Sequence, residues 1–278
     1  PLATVLPRLA RHYQATIIAG TAAPVVERST RPRDIRRWGQ AGADVVYLAA
    51  SAEAYNMAFL ATPDGVLHRV DKVYLTASEQ ATLDLVPGNL ADVPVIETPA
   101  GRIGVAISLD AFTPEYLRHI DALRAEIVAQ PDANDQLWVG PSQTCDWQPQ
   151  EWLNSVLGSV QAHYPHLQAN VCAMQTGNFF DVTFDGQSTI THKGEDIPNA
   201  VDNFVGNSGF FHTVTGEAMR GQLLAVAPWV VEDPLTRDPS LTLAQRRAAL
   251  HAVGQQLLPG GARAGQFREV AIAADITL

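Results

Sequence analysis

The sequence predicts an α/β protein, and three observations carry that prediction. Short apolar, β-rich runs recur at residues 15–20, 45–50, 55–62 and 126–130, each too brief for a typical helix. Other stretches place apolar residues at helical spacing: Leu2, Val5, Leu6, Leu9 and Tyr13 at the start, Tyr116, Ile120 and Leu123 in the middle, and residues 241–258 near the end. With 278 residues, 46% hydrophobic and 17% charged, the chain can bury a substantial core.

Taken in order, the chain enters through an amphipathic helix and passes into the strand at 15–20, which ends at Gly20-Thr21. Residues 27–37 hold five arginines around Pro32 and read as a solvated loop. Strands at 45–50 and 55–62 follow, and Pro63-Asp64-Gly65 supplies a turn before a further strand-like segment at 66–75. Later, residues 207–217 read as a hairpin and 270–278 as a terminal strand.

Charge and cysteine content exclude several classes of function. A net charge of −10 and a pI near 5.2 argue against a nucleic-acid partner or an anionic membrane surface, both of which need concentrated positive charge. No apolar run approaches a membrane span, and no secretory signal is read. Cys145 and Cys172 lie in no metal-ligand spacing, so no metal is expected, and a reducing cytoplasm is the default compartment.

The chemistry centres on Gly101-Arg102-Ile103-Gly104-Val105-Ala106-Ile107-Ser108-Leu109-Asp110. Val105, Ala106 and Ile107 form a buried strand, and Thr113-Pro114-Glu115 has the form of a helix start, with Thr as N-cap and Pro at the first helical position. Ser108 therefore falls at a strand-to-helix corner. Such corners thrust a nucleophile out of the sheet and leave nearby backbone N–H groups free to bind an oxyanion.

These residues closely resemble the nucleophile motif of the nitrilase (carbon–nitrogen hydrolase) superfamily, which carries cysteine where this chain has Ser108. The resemblance extends to Tyr55-Asn56, Pro63-Asp64-Gly65 and Lys72 with Leu75, the order of the segment that bears the family's catalytic lysine. It returns at Phe184-Asp185-Gly186-Gln187-Ser188. It implies a four-layer α-β-β-α sandwich over a single domain, residues 1–278, that lacks the family's first β-α-β unit and the catalytic glutamate on it. It also implies that Lys72 and position 108 share one cavity. Glu79 resembles a second glutamate that helps orient the lysine and substrate in part of the family, and a carboxylate there could act as a base if its pKa were raised. By the same resemblance Leu109, Asn134 and Trp138 face the substrate, with Asp135 beside them, although a tryptophan in such a place is as readily a core aromatic.

In that family a cysteine thiolate attacks an amide or nitrile carbon, a glutamate moves protons, and lysine with a backbone N–H holds the oxyanion. No cofactor is implied, the partner is a small-molecule amide or nitrile, and a homodimer or higher homo-oligomer is expected, with dimer contact through an apolar patch around residues 116–123. Three readings follow from serine at position 108: a hydrolase inactivated or engineered there, a natural inactive homologue serving as a binding or scaffold protein, and an enzyme using Ser108 through another base. For the last, Trp147, Trp152, His163 and His166 lie in an aromatic-rich stretch, but their spacing does not recommend a Ser–His–acid triad. Cys172 reads as a buried free thiol.

Overall fold

The computed structural model describes residues 2–140, 148–194, 220–229, 238 and 240–278. Cys145, Trp147 and the hairpin expected at 207–217 lie outside them. The chain divides into two compact units, Pro1–Val93 and Pro94–Leu278.

The first unit is a three-stranded antiparallel sheet in the order β1-β2-β3, with β1 spanning Ile17–Ser29, β2 Val46–Ala61 and β3 Leu67–Asp71. Helix α1, Leu2–Tyr13, packs on it, burying Leu6 and Ala10 against Ala61. The period expected from the sequence is present, but Val5, Leu9 and Tyr13 are exposed, so the buried stripe is narrower than the apolar one. Arg11 donates from Nε to the Asp64 carbonyl at 2.9 Å and so ties the helix to the β2–β3 turn. Gly65 in that turn sits at φ +81°, where a side chain would also strike the Arg11 guanidinium.

The two strands expected at 45–50 and 55–62 are instead one long strand, irregular only in its pairing. The register against β1 jumps between Pro24 and Val26, so Ala54 faces Pro24 while Ala49 faces Val26. The arginine-rich stretch is not a loop: it forms the end of β1 and the short helix α2, Pro32–Trp38. Proline at the start favours that helix. All five arginines are exposed, as a solvated face requires.

The second unit is built on a six-stranded mixed sheet in the order β11-β10-β7-β6-β5-β4. Its strands are β4 (Val95–Thr98), β5 (Gly101–Val105), β6 (Ile127–Asp132), β7 (Ala169–Met174), β10 (Thr189–His192) and β11 (Gln222–Val226). A separate hairpin pairs β8, Thr176–Phe179, with β9, Val182–Asp185. The strands β5, β6 and β7 run parallel, linked through α4 (Pro114–Ala122) and then α5 (Gln148–Gly158). Parallel strands bring their C-terminal ends to one edge, where α/β proteins place their sites. Position 108 and the loop after β6 lie at that edge.

Two expectations fail at strand ends. Pro131 and Asp132 do not stop β6 but continue it, pairing with Ala173 and Met174. Residues 270–278 alternate in exposure as a strand would, but no described residue forms a ladder with them. The core of this unit packs Trp138, Trp152, Leu153, Val156 and Cys172 against Leu250 and Val253 of α6, Leu243–Gln255. Tyr116, Leu117 and Ile120 of α4 are buried within the unit, and of the expected apolar patch Ala122 and Leu123 are exposed. Among the described residues no helix is long and apolar enough to cross a membrane.

One contact links this packing to the corner at 108. Tyr116, fully buried on α4, donates its hydroxyl to the Val105 carbonyl at 2.5 Å. Removing the donor strands a buried carbonyl. Tyr116→Phe is expected to lower stability by about 1–2 kcal/mol in urea unfolding, and a change within error would show that this bond does not hold the end of β5.

Candidate active site

In the first unit the candidate groups gather around Lys72, one residue past β3. Its backbone is held at both ends: its N–H donates to the Asn56 carbonyl at 2.8 Å, and its carbonyl accepts from the Gly88 N–H at 2.8 Å. A side chain at residue 88 would press on the Asp71 carbonyl, so glycine is needed there for the close approach. The Lys72 side chain is only 2% exposed, and its ammonium lies 2.7 Å and 2.9 Å from the two Glu79 oxygens.

Glu79 is itself fixed by its neighbours. The run Thr76-Ala77-Ser78-Glu79 makes a reciprocal cap at the start of α3, Ala77–Ala81: the Glu79 N–H donates to Thr76 Oγ1, and Glu79 Oε2 accepts from the Thr76 N–H at 2.8 Å. Glu79 Oε1 accepts from the Asn56 amide at 2.7 Å. Burial alone would raise this carboxyl, but Lys72, the Thr76 N–H and Asn56 outweigh it and hold Glu79 below its usual range. The condition for a general base, a raised pKa, is thus reversed. Glu79 is the counter-ion of Lys72. An ammonium has three N–H donors, and among the described residues only the Glu79 oxygens accept from it, so it can still bind an oxyanion.

In the second unit the corner expected at Ser108 is present. A single turn of 3-10 helix, Ser108–Phe112, separates β5 from α4. Ser108 sits at φ +50°, a left-handed conformation that costs a non-glycine residue about 1 kcal/mol. Asp110, fully buried, braces the turn: its Oδ2 accepts from the Ile107 N–H at 3.3 Å, and its own N–H donates to the Ile107 carbonyl. Thr113 precedes Pro114 as expected but does not cap the helix. Its hydroxyl donates to the Leu109 carbonyl at 2.9 Å.

The remaining candidates divide. Leu109 and Asn134 are half-buried and Asp135 is exposed. The Asn134 side-chain Oδ1 accepts from the Gln136 N–H at 3.2 Å. Trp138 is a core residue: it is fully buried and donates from Nε1 to Gln187 at 2.8 Å and from its backbone N–H to Asp185 at 2.9 Å. His166 lies 3.5 Å from Asp121 at the end of α4. Trp152 packs edge-on against Phe112 and Trp138. Cys172 is free and buried, and burial pushes its thiol well up, away from reactivity. Among the described residues no three His, Cys, Asp or Glu side chains are grouped to hold a metal ion.

Sequence reasoning missed Asn56 as a partner of Glu79, although Thr76-x-x-Glu79 carried the signature of a capping box. It also missed Asp185 and Gln187, whose buried side chains anchor Trp138. Neither gives a local signal of that role, because Trp138 lies more than 40 residues away in the chain.

A family model described as carbon-nitrogen hydrolase matches residues 3–195, a span that enters both units. No curated protein matches the sequence. Among solved structures, the carbon-nitrogen hydrolase from Helicobacter pylori G27 aligns with a TM-score of 0.52 at 19% identity, covering 81% of this chain and 62% of that one. A mutant amidase from Nesterenkonia sp. AN1 in complex with butyramide aligns at 0.46 and 17% identity, covering 90% and 72%. The glutamine-dependent NAD+ synthetase from Acinetobacter baumannii aligns at 0.48 and 16%, covering 79% and 30%. The chain therefore spans 62% of the length of the first of these and 30% of the last. The first likeness shows a shared mixed α/β fold.

Asp185 gives a prediction about pH. Burial lifts its carboxyl to about 6, and the N–H donors of Trp138 and Trp229 offset this only in part. The folded state thus holds a proton that the unfolded chain releases near pH 4, so this group's contribution is complete below that pH and is lost as pH rises through about 6. Asp185→Asn is expected to abolish a fall in stability of up to about 3 kcal/mol between pH 4 and 6, seen as the difference between parent and variant melting curves. Parallel pH profiles for the two proteins would contradict it.

Proposed function

The chain belongs to the carbon–nitrogen hydrolase family, and from that premise we propose that it is a hydrolase of non-peptide C–N bonds in a small amide or nitrile, arrested at Ser108. Lys72, Glu79 and position 108 are its catalytic positions, Leu109 and Asn134 contribute to the substrate pocket, and the fold is the four-layer α-β-β-α sandwich. The observation that carries the reading is the Lys72 ammonium, 2% exposed, paired to Glu79 and left with donor capacity. The left-handed backbone at Ser108 supports it as the form of a nucleophile corner.

With a cysteine at 108, the reaction forms a bond from sulfur to the carbonyl or nitrile carbon. For an amide the displaced electron pair rests on oxygen, stabilised by the Lys72 ammonium and a backbone N–H. Its return breaks the C–N bond and expels the amine, which takes up a proton, and water then cleaves the C–S bond of the thioester to give the acid and restore the thiol. A nitrile instead gives a thioimidate, from which water first displaces ammonia. A thiol ionises near pH 8.5 and is driven further by a nearby cation. A serine hydroxyl stays protonated at neutral pH and needs a base. Glu79 is a poor one, because its donors hold it ionised and weakly basic. Serine in an otherwise complete corner also favours a second reading, a natural inactive homologue that binds small amides without turning them over.

The unaltered chain is expected to show no measurable amide turnover. Ser108→Cys is expected to form an acyl adduct, read by intact mass, with a small activated amide, and adding Lys72→Ala should abolish the adduct. Turnover by the unaltered chain that Ser108→Ala removes would contradict the arrested state, and absence of both adduct and turnover in Ser108→Cys would favour the binding protein.

A further inference from the structure

Lysine is a flexible four-carbon stem, so its charge is aimed only as well as its anchor is fixed. Here the anchor is the Glu79 carboxylate, and its terminal torsion is intrinsically broad. Each of its oxygens takes one bond from Lys72 and one from elsewhere: Oε1 from the Asn56 amide at 2.7 Å, Oε2 from the Thr76 N–H at 2.8 Å. These two outside points, one on β2 and one at the start of α3, define the plane of the carboxylate. The Thr76 donor is backbone and any residue but proline would supply it. The Asn56 donor is a side chain, and the same residue's carbonyl accepts the Lys72 N–H at 2.8 Å. Asn56 therefore touches both the residue that carries the ammonium and the carboxylate that orients it.

We propose that Asn56 is a positioning residue for the reaction: by holding Glu79 through its amide and the Lys72 backbone through its carbonyl, it sets where the unused N–H of the ammonium points. The inference rests on the hydrolase reading above. Loss of the amide leaves Glu79 with only the Thr76 N–H to fix it from outside the ion pair, loosens the plane of the carboxylate, and lets the ammonium wander with it. The family resemblance at Tyr55-Asn56 marks the place but assigns the residue no such role.

The test uses the full chain carrying Ser108→Cys and Cys145→Ser. Iodoacetamide alkylation of residue 108 is followed against pH by peptide mass, and Glu79 is followed by carboxyl carbon NMR, assigned with Glu79→Gln. Asn56→Leu keeps the backbone carbonyl and removes the donor. It is expected to slow alkylation at neutral pH by about three- to tenfold and to move the Glu79 midpoint upward. Asn56→Asp, of the same shape, should move Glu79 further by setting a second carboxylate against it, and it decides the matter if the leucine variant does not fold. A lowered melting temperature with both titrations unchanged would overturn the inference while leaving the hydrolase reading intact. An ordinary free-thiol profile in the protein with Asn56 present would overturn the hydrolase reading, and this inference with it.

Discussion

Burying a lysine ammonium costs several kcal/mol unless a carboxylate and further donors complete the site. Lys72 meets that condition through Glu79, and the local structure of the first unit follows from keeping the pair together. The backbone of Lys72 is pinned between Asn56 and Gly88. Glu79 is placed by a helix cap that spends its side chain on the Thr76 N–H as well as on the lysine. A carboxylate with this many donors stays ionised, which suits an anchor and disqualifies a base.

The second unit solves a different problem, that of presenting one side chain at the edge of a sheet. Strands β5 and β6 run parallel, so the corner after one and the loop after the other meet the same edge. The corner keeps its shape through Asp110 bonding Ile107 and through Tyr116 gripping the carbonyl of Val105. The backbone at Ser108 is left-handed and slightly strained. Serine and cysteine differ little in shape and greatly in acidity, so a Ser108→Cys change would alter the chemistry open to this corner more than its frame.

Much of this was legible in the residues. The α/β class, the helix start at Pro114 and the turn at Pro63-Asp64-Gly65 came from local pattern, which is what short-range sterics and capping record, whereas Lys72 and Glu79 were singled out by the family resemblance. What stayed hidden depends on distant partners. The helix at the N-terminus shows its period, but which of Val5, Leu6, Leu9 and Ala10 is buried is decided by the sheet that it meets. Residues 270–278 alternate as a strand does, but a strand also needs a neighbour to bond. Trp138 reads equally as pocket wall or core until Asp185 and Gln187, far along the chain, take both of its N–H groups. The bond from Asn56 to Glu79 crosses 23 residues and two turns of the chain, and no local rule reaches that far.

The claim beneath this account is that the Lys72 ammonium and the Glu79 carboxylate are stable in the interior only as a pair. A double-mutant cycle in urea, with Lys72→Met, Glu79→Gln and the two together, measures that dependence directly. The account predicts that each single change costs about 3–5 kcal/mol by leaving a buried charge or dipole unmatched, and that the double change costs less than their sum by at least about 1 kcal/mol. Single effects that add to within about 0.5 kcal/mol would mean that the two charges do not depend on each other, and would contradict it.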